Sequence, residues 1–157
     1  MGKEEKLLLP SDLTINPDGT AILTLNEVGD VMGTYKGVFT FKCYLNPLEQ
    51  LTVGKLYREL LGTNSEEATD TEKFIAVCLS QLSKRILKAP PFWDTREMVS
   101  GNIPDINILS LIFDRAVTAE MAYKEHLRDK KEQSLEIAKA AANTVQENLN
   151  NNPKKDL

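Results

Sequence analysis

Residues 34–62 constrain the fold more than any other stretch, because their pattern predicts a strand, a junction and a helix in succession. In residues 34–45, apolar and polar side chains alternate, which is the period-two pattern of a strand with one buried face. Val38 and Tyr44 lie on the polar face, which suggests that this face is partly covered as well. The apolar face is expected to consist of Tyr35, Phe39, Phe41, Cys43 and Leu45.

The helix after this strand has a marked start and end. Asn46 is suited to accept hydrogen bonds from the free N–H groups of the first turn, Pro47 lacks the N–H that would be unpaired there, and Glu49 completes a capping-box pattern. Gly62 is expected to stop the helix in a left-handed conformation. The leucines of this helix recur at roughly helical spacing and are expected to share one apolar stripe that builds the core: Leu48, Leu51, Leu56 and Leu60.

A β-hairpin is predicted upstream of this unit. Residues 13–15 alternate, residues 16–19 have the turn sequence Asn-Pro-Asp-Gly, and residues 20–25 resume the strand pattern. Glycines then recur at a spacing of four residues, at Gly29, Gly33 and Gly37. A dinucleotide-binding fingerprint has glycines at a different spacing and opens a helix, so these glycines predict a loop or a bulge.

A second amphipathic helix is predicted after a polar, acidic stretch at residues 63–71. It is expected to end near Lys88, ahead of the segment Ala89-Pro90-Pro91-Phe92-Trp93, which its prolines force into an extended conformation. Phe92 and Trp93 place a large apolar surface there, either as anchors in the core or as a contact for a partner. The apolar positions of the helix recur at helical spacing: Phe74, Ile75, Cys78, Leu79, Leu82 and Ile86.

The longest helical pattern begins at Ile106, where Asp105 is placed to cap it, and continues to Asn150 without Pro or Gly. A helix of roughly forty residues would be about 60 Å long, which is more than a domain of this size can cover. Its back half is therefore expected to project, to fray or to pack on another molecule. The apolar pattern fades through the charged residues 124–136 and resumes weakly with Ile137, Ala138, Ala141, Val145 and Leu149.

These elements predict an α+β fold, in which an N-terminal antiparallel β-hairpin or small sheet packs on two helices and is followed by one long C-terminal helix. We predict an N-terminal arm at residues 1–12, a core domain at residues 13–123, and a projecting charged helix with a polar tail at residues 124–157. In the arm, Leu7, Leu8 and Leu9 form the apolar part, which can pack on the body of the protein or on a neighbour.

The composition is that of an ordinary soluble protein, with 41% apolar and 27% charged residues. A net charge of −4 argues against broad, sequence-independent binding to nucleic acid, which needs a basic surface. No apolar run is long enough for a membrane span or a secretion signal. Cys43 and Cys78 lie in apolar patterns and are interpreted as buried thiols of a reducing compartment.

The sequence carries no recognisable motif for catalysis, for a cofactor or for a metal. His126 is the only histidine and lies in a charged helical stretch, and no nucleophile elbow accompanies it. The cysteines have no partners at metal-ligand spacing, and no glycine-rich loop precedes a Lys-Ser or Lys-Thr pair. We therefore expect no enzymatic activity, no cofactor and no metal site, although carboxylates distant in sequence can still meet in space.

Several folding landmarks occur along residues 34–123: the strand Tyr35-Lys36-Gly37-Val38-Phe39-Thr40-Phe41, the stop Leu60-Leu61-Gly62, the segment Ala89-Pro90-Pro91-Phe92-Trp93, the helix start Asp105-Ile106-Asn107, and the pair Ala119-Glu120 before the charged helical tail. In this pattern the chain resembles small proteins from the structural-gene module of tailed bacteriophages. The resemblance implies a virion component or a tail-assembly chaperone, and it assigns no functional residue.

We therefore expect a bacteriophage virion structural protein, made in the host cytoplasm, that acts through protein–protein contacts in a capsid or tail assembly. An assembly chaperone that is not retained in the virion is the alternative. The expected partners are other phage structural proteins or copies of the chain itself, with no nucleic acid and no membrane. The residues predicted to contact partners are Leu7, Leu8, Leu9, Phe92, Trp93, Val145 and Leu149.

Overall fold

The computed structural model describes residues 7–93 and 103–151. The elements in these residues are β1 (Leu13–Ile15), β2 (Thr20–Val28), β3 (Thr34–Lys42), α1 (Pro47–Leu61), a short 3-10 helix (Ser65–Glu67), α2 (Asp70–Arg85), β4 (Ile86–Lys88) and α3 (Ile106–Asn151). The fold is α+β, as predicted: an antiparallel sheet near the N-terminus, two helices, and then one long C-terminal helix.

The chain divides into two compact units, residues 1–123 and residues 124–157. The first unit holds the sheet, α1, α2 and the first part of α3, and the second holds the rest of α3. Residues 1–6 of the predicted arm and residues 152–157 of the predicted tail lie outside the described residues.

The sheet is an antiparallel meander in the order β1-β2-β3-β4. The predicted hairpin between β1 and β2 is confirmed, and its turn holds Gly19 at a φ of 86°, which glycine adopts without steric cost. The carboxylate of Asp18 supports the turn, because it accepts hydrogen bonds from the N–H and the hydroxyl of Thr20 at 3.0 and 2.6 Å. Strand β2 continues beyond residue 25 to Val28, since it pairs with β3 along its whole length.

One face of the sheet lies in the core and the other is partly exposed. The predicted buried face of the central strand is confirmed for Tyr35, Phe39, Phe41, Cys43 and Leu45, although β3 itself ends at Lys42. Val38 and Tyr44, on the opposite side of the chain, are about half exposed. The partial cover expected on that side is present at Tyr44, whose ring stacks on that of Tyr123 at a centroid distance of 6.0 Å.

Helices α2 and α3 supply the other half of the core. Side chains from both helices join the sheet residues in one buried cluster: Cys78, Leu79 and Leu82 from α2, and Ile108, Leu109, Ile112, Ala116 and Ala119 from α3. A buried ion pair also joins the two helices, with Nη2 of Arg85 lying 2.7 Å from Oε2 of Glu120. Helix α1 packs against α2.

The predicted start of α1 is confirmed. Asn46 and Glu49 form a reciprocal capping box with N–O distances of 2.8 and 3.0 Å, and Pro47 is the first helical residue. Gly62 ends the helix with φ 77° and ψ −165°. This is the extended positive-φ region that is nearly exclusive to glycine, and it replaces the left-handed helical conformation that we expected.

The prediction of one core-building leucine stripe on α1 is wrong. Leu56 is 7% exposed and lies with Val53 on the buried side of the helix, whereas Leu48 and Leu51 are 73% and 71% exposed. Helix α1 packs on α2 along the side that carries Val53 and Leu56. Because residues three apart share a side of a helix, burying these two positions leaves the first two leucines on the opposite side.

The prediction for the end of α2 is also wrong. The helix begins with a capping box between Thr69 and Glu72 and ends at Arg85, and Ile86 starts a short strand instead of closing the apolar stripe of α2. This strand, β4, pairs with β3 and contains an irregularity between the pairs Thr40↔Lys88 and Phe41↔Ile86. A strand of three residues is too short to show alternation, so the pattern of the preceding helix hid it.

The predicted long helix is confirmed. Helix α3 has 46 residues, from Ile106 to Asn151, and would measure about 69 Å at roughly 1.5 Å per residue. None of the helices within residues 7–93 and 103–151 is long and apolar enough to cross a membrane.

Candidate functional site

The two cysteines of the described core are buried thiols of raised pKa. Cys43 and Cys78 are buried, as predicted, and neither forms a disulfide. Burial raises the pKa of each thiol to about 11, so both are protonated at neutral pH and are poor nucleophiles. Within the described ranges, no three His, Cys, Asp or Glu side chains form a group that could hold a metal ion.

The predicted arm is partly attached to the core and partly exposed. Leu8 is 94% exposed and Leu9 is 41% exposed, whereas Leu7 is half-buried. The arm is fastened at its C-terminal end, where the carboxylate of Asp12 accepts a hydrogen bond from Nε of Arg115 at 2.9 Å. Leu8 is thus an apolar side chain in water next to an anchored backbone, which suits a contact with a partner.

The aromatic segment before α3 lies against the core. Trp93 is 7% exposed, and its ring meets that of Phe39 edge-on at a centroid distance of 5.8 Å. Phe92 is half-buried and makes edge contacts with both Tyr35 and Phe39, at 5.2 and 5.8 Å. Of the two interpretations drawn from the sequence, the structure supports core anchors for both residues, and Trp93 in particular has little surface left for a partner.

The second half of α3 exposes an apolar stripe. We call it the tail stripe, and it consists of Leu135, Ala138, Ala142, Val145 and Leu149. These positions are separated by alternating steps of three and four residues, so they lie on one side of the helix. All residues from 126 to 151 are exposed. Val145 and Leu149, which we predicted as contact residues, are therefore accessible. They share this side with Ala138, which belongs to the predicted pattern, and with Leu135 and Ala142, which the sequence had not singled out.

A buried carboxylate organises the loop between β2 and β3, and the sequence did not reveal it. Asp105 is 1% exposed, and its carboxylate accepts hydrogen bonds from the N–H groups of Val31 and Met32 at 2.6 and 3.1 Å. The hydroxyl of Tyr35 donates a further hydrogen bond at 2.7 Å. Any side chain at Gly29 would collide with this carboxylate. We call residues 28–33 the hairpin tip.

The hydrogen bonds at Asp105 outweigh its burial. Burial alone raises the pKa of the carboxyl, but the Tyr35 hydroxyl and the backbone N–H groups of the tip stabilise the charged form and lower the pKa below its usual value. Burial, together with the hydrogen bond to Asp105, raises the pKa of Tyr35 to about 12. The pair therefore holds one fixed negative charge, with a proton on the phenol, across the neutral pH range.

This arrangement corrects two predictions. We expected the Asp105 side chain to cap α3, but only its backbone carbonyl accepts hydrogen bonds from the first turn, from Ile108 and Leu109 at 3.2 Å. We also expected the spaced glycines to lie in a loop or bulge. That holds for Gly29 and Gly33 but is wrong for Gly37, which lies inside β3 where Pro90 packs against its backbone.

The hairpin tip presents apolar side chains to solvent. Val28, Val31 and Met32 are all more than half exposed, at 72%, 70% and 59%. The acidic residues Glu27 and Asp30 are exposed beside them. A carboxylate buried at the cost of desolvation thus holds a turn whose outer surface is apolar with an acidic border.

The first turns of α1 form a second exposed apolar surface. Leu48, Leu51 and Lys55 follow one another at helical spacing and are exposed, and we call them the α1 leucine face. The ion pair between Lys42 and Glu49, at 2.7 Å, fixes this end of α1 to the last residue of β3. A groove of about 410 Å³ adjoins it between α1 and α2, with Leu56, Lys55 and Lys84 among its lining residues.

Sequence reasoning missed the α1 leucine face because it assigned these leucines to the core, and it made no assignment for Val28, Val31 and Met32 of the tip. An apolar residue in a helix or at a strand end is assigned to the core by periodicity, and its exposure depends on which neighbour packs there. Gly29 was the signal that the sequence offered at the tip, since a glycine can mark the close approach of another group, here the Asp105 carboxylate. No partner group was identifiable without the fold.

The chain matches no protein-family model, no curated protein and no solved structure.

Proposed function

We propose that this protein is a structural component of a tailed-bacteriophage virion and acts through protein–protein contacts in a capsid or tail assembly. The observation that carries the proposal is the second half of α3, which is exposed throughout residues 126–151 although it bears the tail stripe. Most helical stability in proteins comes from packing an apolar face against something else. A helix built in this way is suited to a partner that covers that face.

The spacing of the tail stripe indicates what kind of contact it makes. Alternating steps of three and four residues form the seam along which two helices pack side by side. Val145 and Leu149 lie in the more apolar part of this seam, and Leu8 of the arm offers a second apolar contact in the other unit. Two separate contact surfaces on one small chain suit a component that connects neighbours in an assembly.

The phage context comes from the sequence resemblance over residues 34–123. Under this proposal the protein is made in the host cytoplasm, is incorporated into the particle, and has other structural proteins of the phage as its partners. It needs no cofactor and carries out no reaction, and its exposed surfaces take the place of an active site.

Mass spectrometry of purified mature particles tests the proposal directly. The expected result is that peptides of this chain are present in fixed stoichiometry with the other structural proteins, and that a particle map contains the long helix of α3. If the chain is absent from mature particles but required to form them, it is an assembly chaperone. If it is absent and particles form normally without it, both roles are refuted.

A further inference from the structure

We propose that copies of this chain associate head to tail, with the hairpin tip of one copy docking on the α1 leucine face of the next. The inference rests on the proposed assembly role and names one partner within it, a second copy. Each surface is exposed, apolar at its centre and charged at its border. The border of the hairpin tip is acidic, and the border of the α1 leucine face is basic.

The tip is built to be presented in one conformation. The Asp105 carboxylate binds the N–H groups of Val31 and Met32, whose side chains are the ones exposed to solvent. Fixing a loop in advance reduces the entropy lost when it binds a partner. A buried charge that orders the backbone of an exposed apolar turn is therefore explained if that turn makes a contact.

The α1 leucine face offers apolar surface and an adjoining groove to the apolar side chains of the tip. Leu48 and Leu51 offer apolar surface, and the adjoining groove of about 410 Å³ is large enough to take an inserted side chain. Met32 is suited to that groove, because an unbranched thioether adapts to irregular shapes.

The charges of the two surfaces are complementary. Glu27 and Asp30 border the tip, and Lys55 and Lys84 border the groove. Glu59 also lines the groove, but it lies 3.9 Å from Lys55 and both side chains are mostly exposed, so it screens that lysine only weakly. The acidic tip of one copy therefore meets a surface of net positive charge on the next, which favours this orientation over a tip-to-tip contact.

The hairpin tip of one copy does not reach the α1 leucine face of the same copy. The tip precedes Thr34 and the leucine face is fastened to Lys42, so the nine residues of β3 separate the two surfaces. An extended strand rises roughly 3.3 Å per residue, which places them about 27 Å apart. A contact between different patches of two copies leaves one patch free at each end, so it continues into a ring or a filament.

Charge-reversed variants of the full chain test the contact. The tip variant carries Glu27→Lys and Asp30→Lys, and the face variant carries Lys55→Glu and Lys84→Glu. Sedimentation velocity should show self-association of the wild-type chain, weakened at least about tenfold in each variant alone because like charges then meet. Mixing the two variants should restore association, since every tip in an alternating chain then meets a groove of opposite charge.

Two control variants separate this contact from other causes. Glu66→Lys with Asp70→Lys makes the same charge change at exposed acids outside both surfaces and should leave association unchanged. Met32→Asp should abolish association, whereas Met121→Asp, at a methionine that is 55% exposed on α3, should not. Each variant should be fully folded in the absence of urea, as followed by Trp93 fluorescence, so that a loss of association does not come from unfolding.

A wild-type chain that stays monomeric at all concentrations would overturn the inference, and so would variants that associate as the wild type does. Neither result bears on the presence of the chain in mature particles, which tests the proposed function separately. Conversely, a chain that self-associates as described but is absent from particles and dispensable for them would refute the proposed function and leave the head-to-tail contact standing.

Discussion

At the scale of single residues, Asp105 is a carboxylate that is only 1% exposed and is held by hydrogen bonds from the hairpin tip and Tyr35. Replacing it by Asn leaves an amide group facing donors, because the carboxylate accepts hydrogen bonds from two backbone N–H groups and one hydroxyl. We expect Asp105→Asn to lower the urea midpoint of the protein, whereas Asp30→Asn, at an exposed acid of the same loop, should leave it unchanged. Fluorescence of Trp93, the only tryptophan and a core residue, reports the unfolding.

The same carboxyl sets a pH dependence with a definite sign. Its pKa is lower in the folded protein than in the unfolded chain, where it lies at about 3.9, so the unfolded state binds more protons between the two values. The stability contributed by Asp105 is therefore complete above about pH 5 and is lost as the pH falls through the folded pKa. The midpoint difference between wild type and Asp105→Asn should shrink from pH 6 towards pH 3. A difference that stayed constant over this range would show that the charge itself contributes nothing.

Gly37 provides a residue-scale test of packing. A methyl group there would collide with the ring of Pro90, which has little freedom to move, while at Gly33 it would meet nothing within 4 Å. We expect Gly37→Ala to reduce the free energy of unfolding by about 1–3 kcal/mol, as overpacking does. Gly33→Ala should have no destabilising effect. Equal urea midpoints for the two variants would mean that the segment at residues 89–93 does not pack on β3.

At the scale of elements, α1 tests which side of the helix is buried. We expect Leu56→Ala to cost about 2–4 kcal/mol of unfolding free energy, because it opens a cavity at the contact with α2. Leu51→Ala removes the same atoms from a side chain that is 71% exposed and should change stability by less than about 0.5 kcal/mol. Urea titrations of the two variants give the comparison. A large loss at Leu51 would restore the single stripe that the sequence predicted.

The elements also show which parts of the fold can be predicted from the sequence. The turn at residues 16–19 and the capping box of Asn46 and Glu49 were predictable because the interacting residues are neighbours in the chain. The exposed side of α1 was not, because it depends on where α2 packs. The hydrogen bonds between the hairpin tip and Asp105 were even harder to predict, since Asp105 and Val31 are separated by 74 positions. Local chemistry determined the elements, and tertiary contacts determined which surfaces they exposed.

At the scale of the whole molecule, the separation into units at residues 123 and 124 predicts that folding and assembly can be separated. Core residues that α3 contributes, such as Ile112 and Ala119, all precede residue 124. Removing residues 130–157 should therefore change the free energy of unfolding, followed by Trp93 fluorescence, by less than about 0.5 kcal/mol, as expected for surface changes. The same deletion should reduce incorporation into particles.

Point variants in the full chain refine this prediction by separating the tail stripe from the rest of the helix. Val145→Glu with Leu149→Glu places charges on the stripe and should block incorporation, because a charge buried against an apolar partner without a counter-ion is strongly unfavourable. Ile137→Glu is the control, since Ile137 is 70% exposed and lies roughly a third of a turn away from the stripe. Quantifying the chain in particles assembled with each variant gives the result. If the deletion of residues 130–157 prevented folding, the second half of α3 would belong to the core. If Ile137→Glu blocked incorporation as strongly as the double variant, the tail stripe would not be the contact.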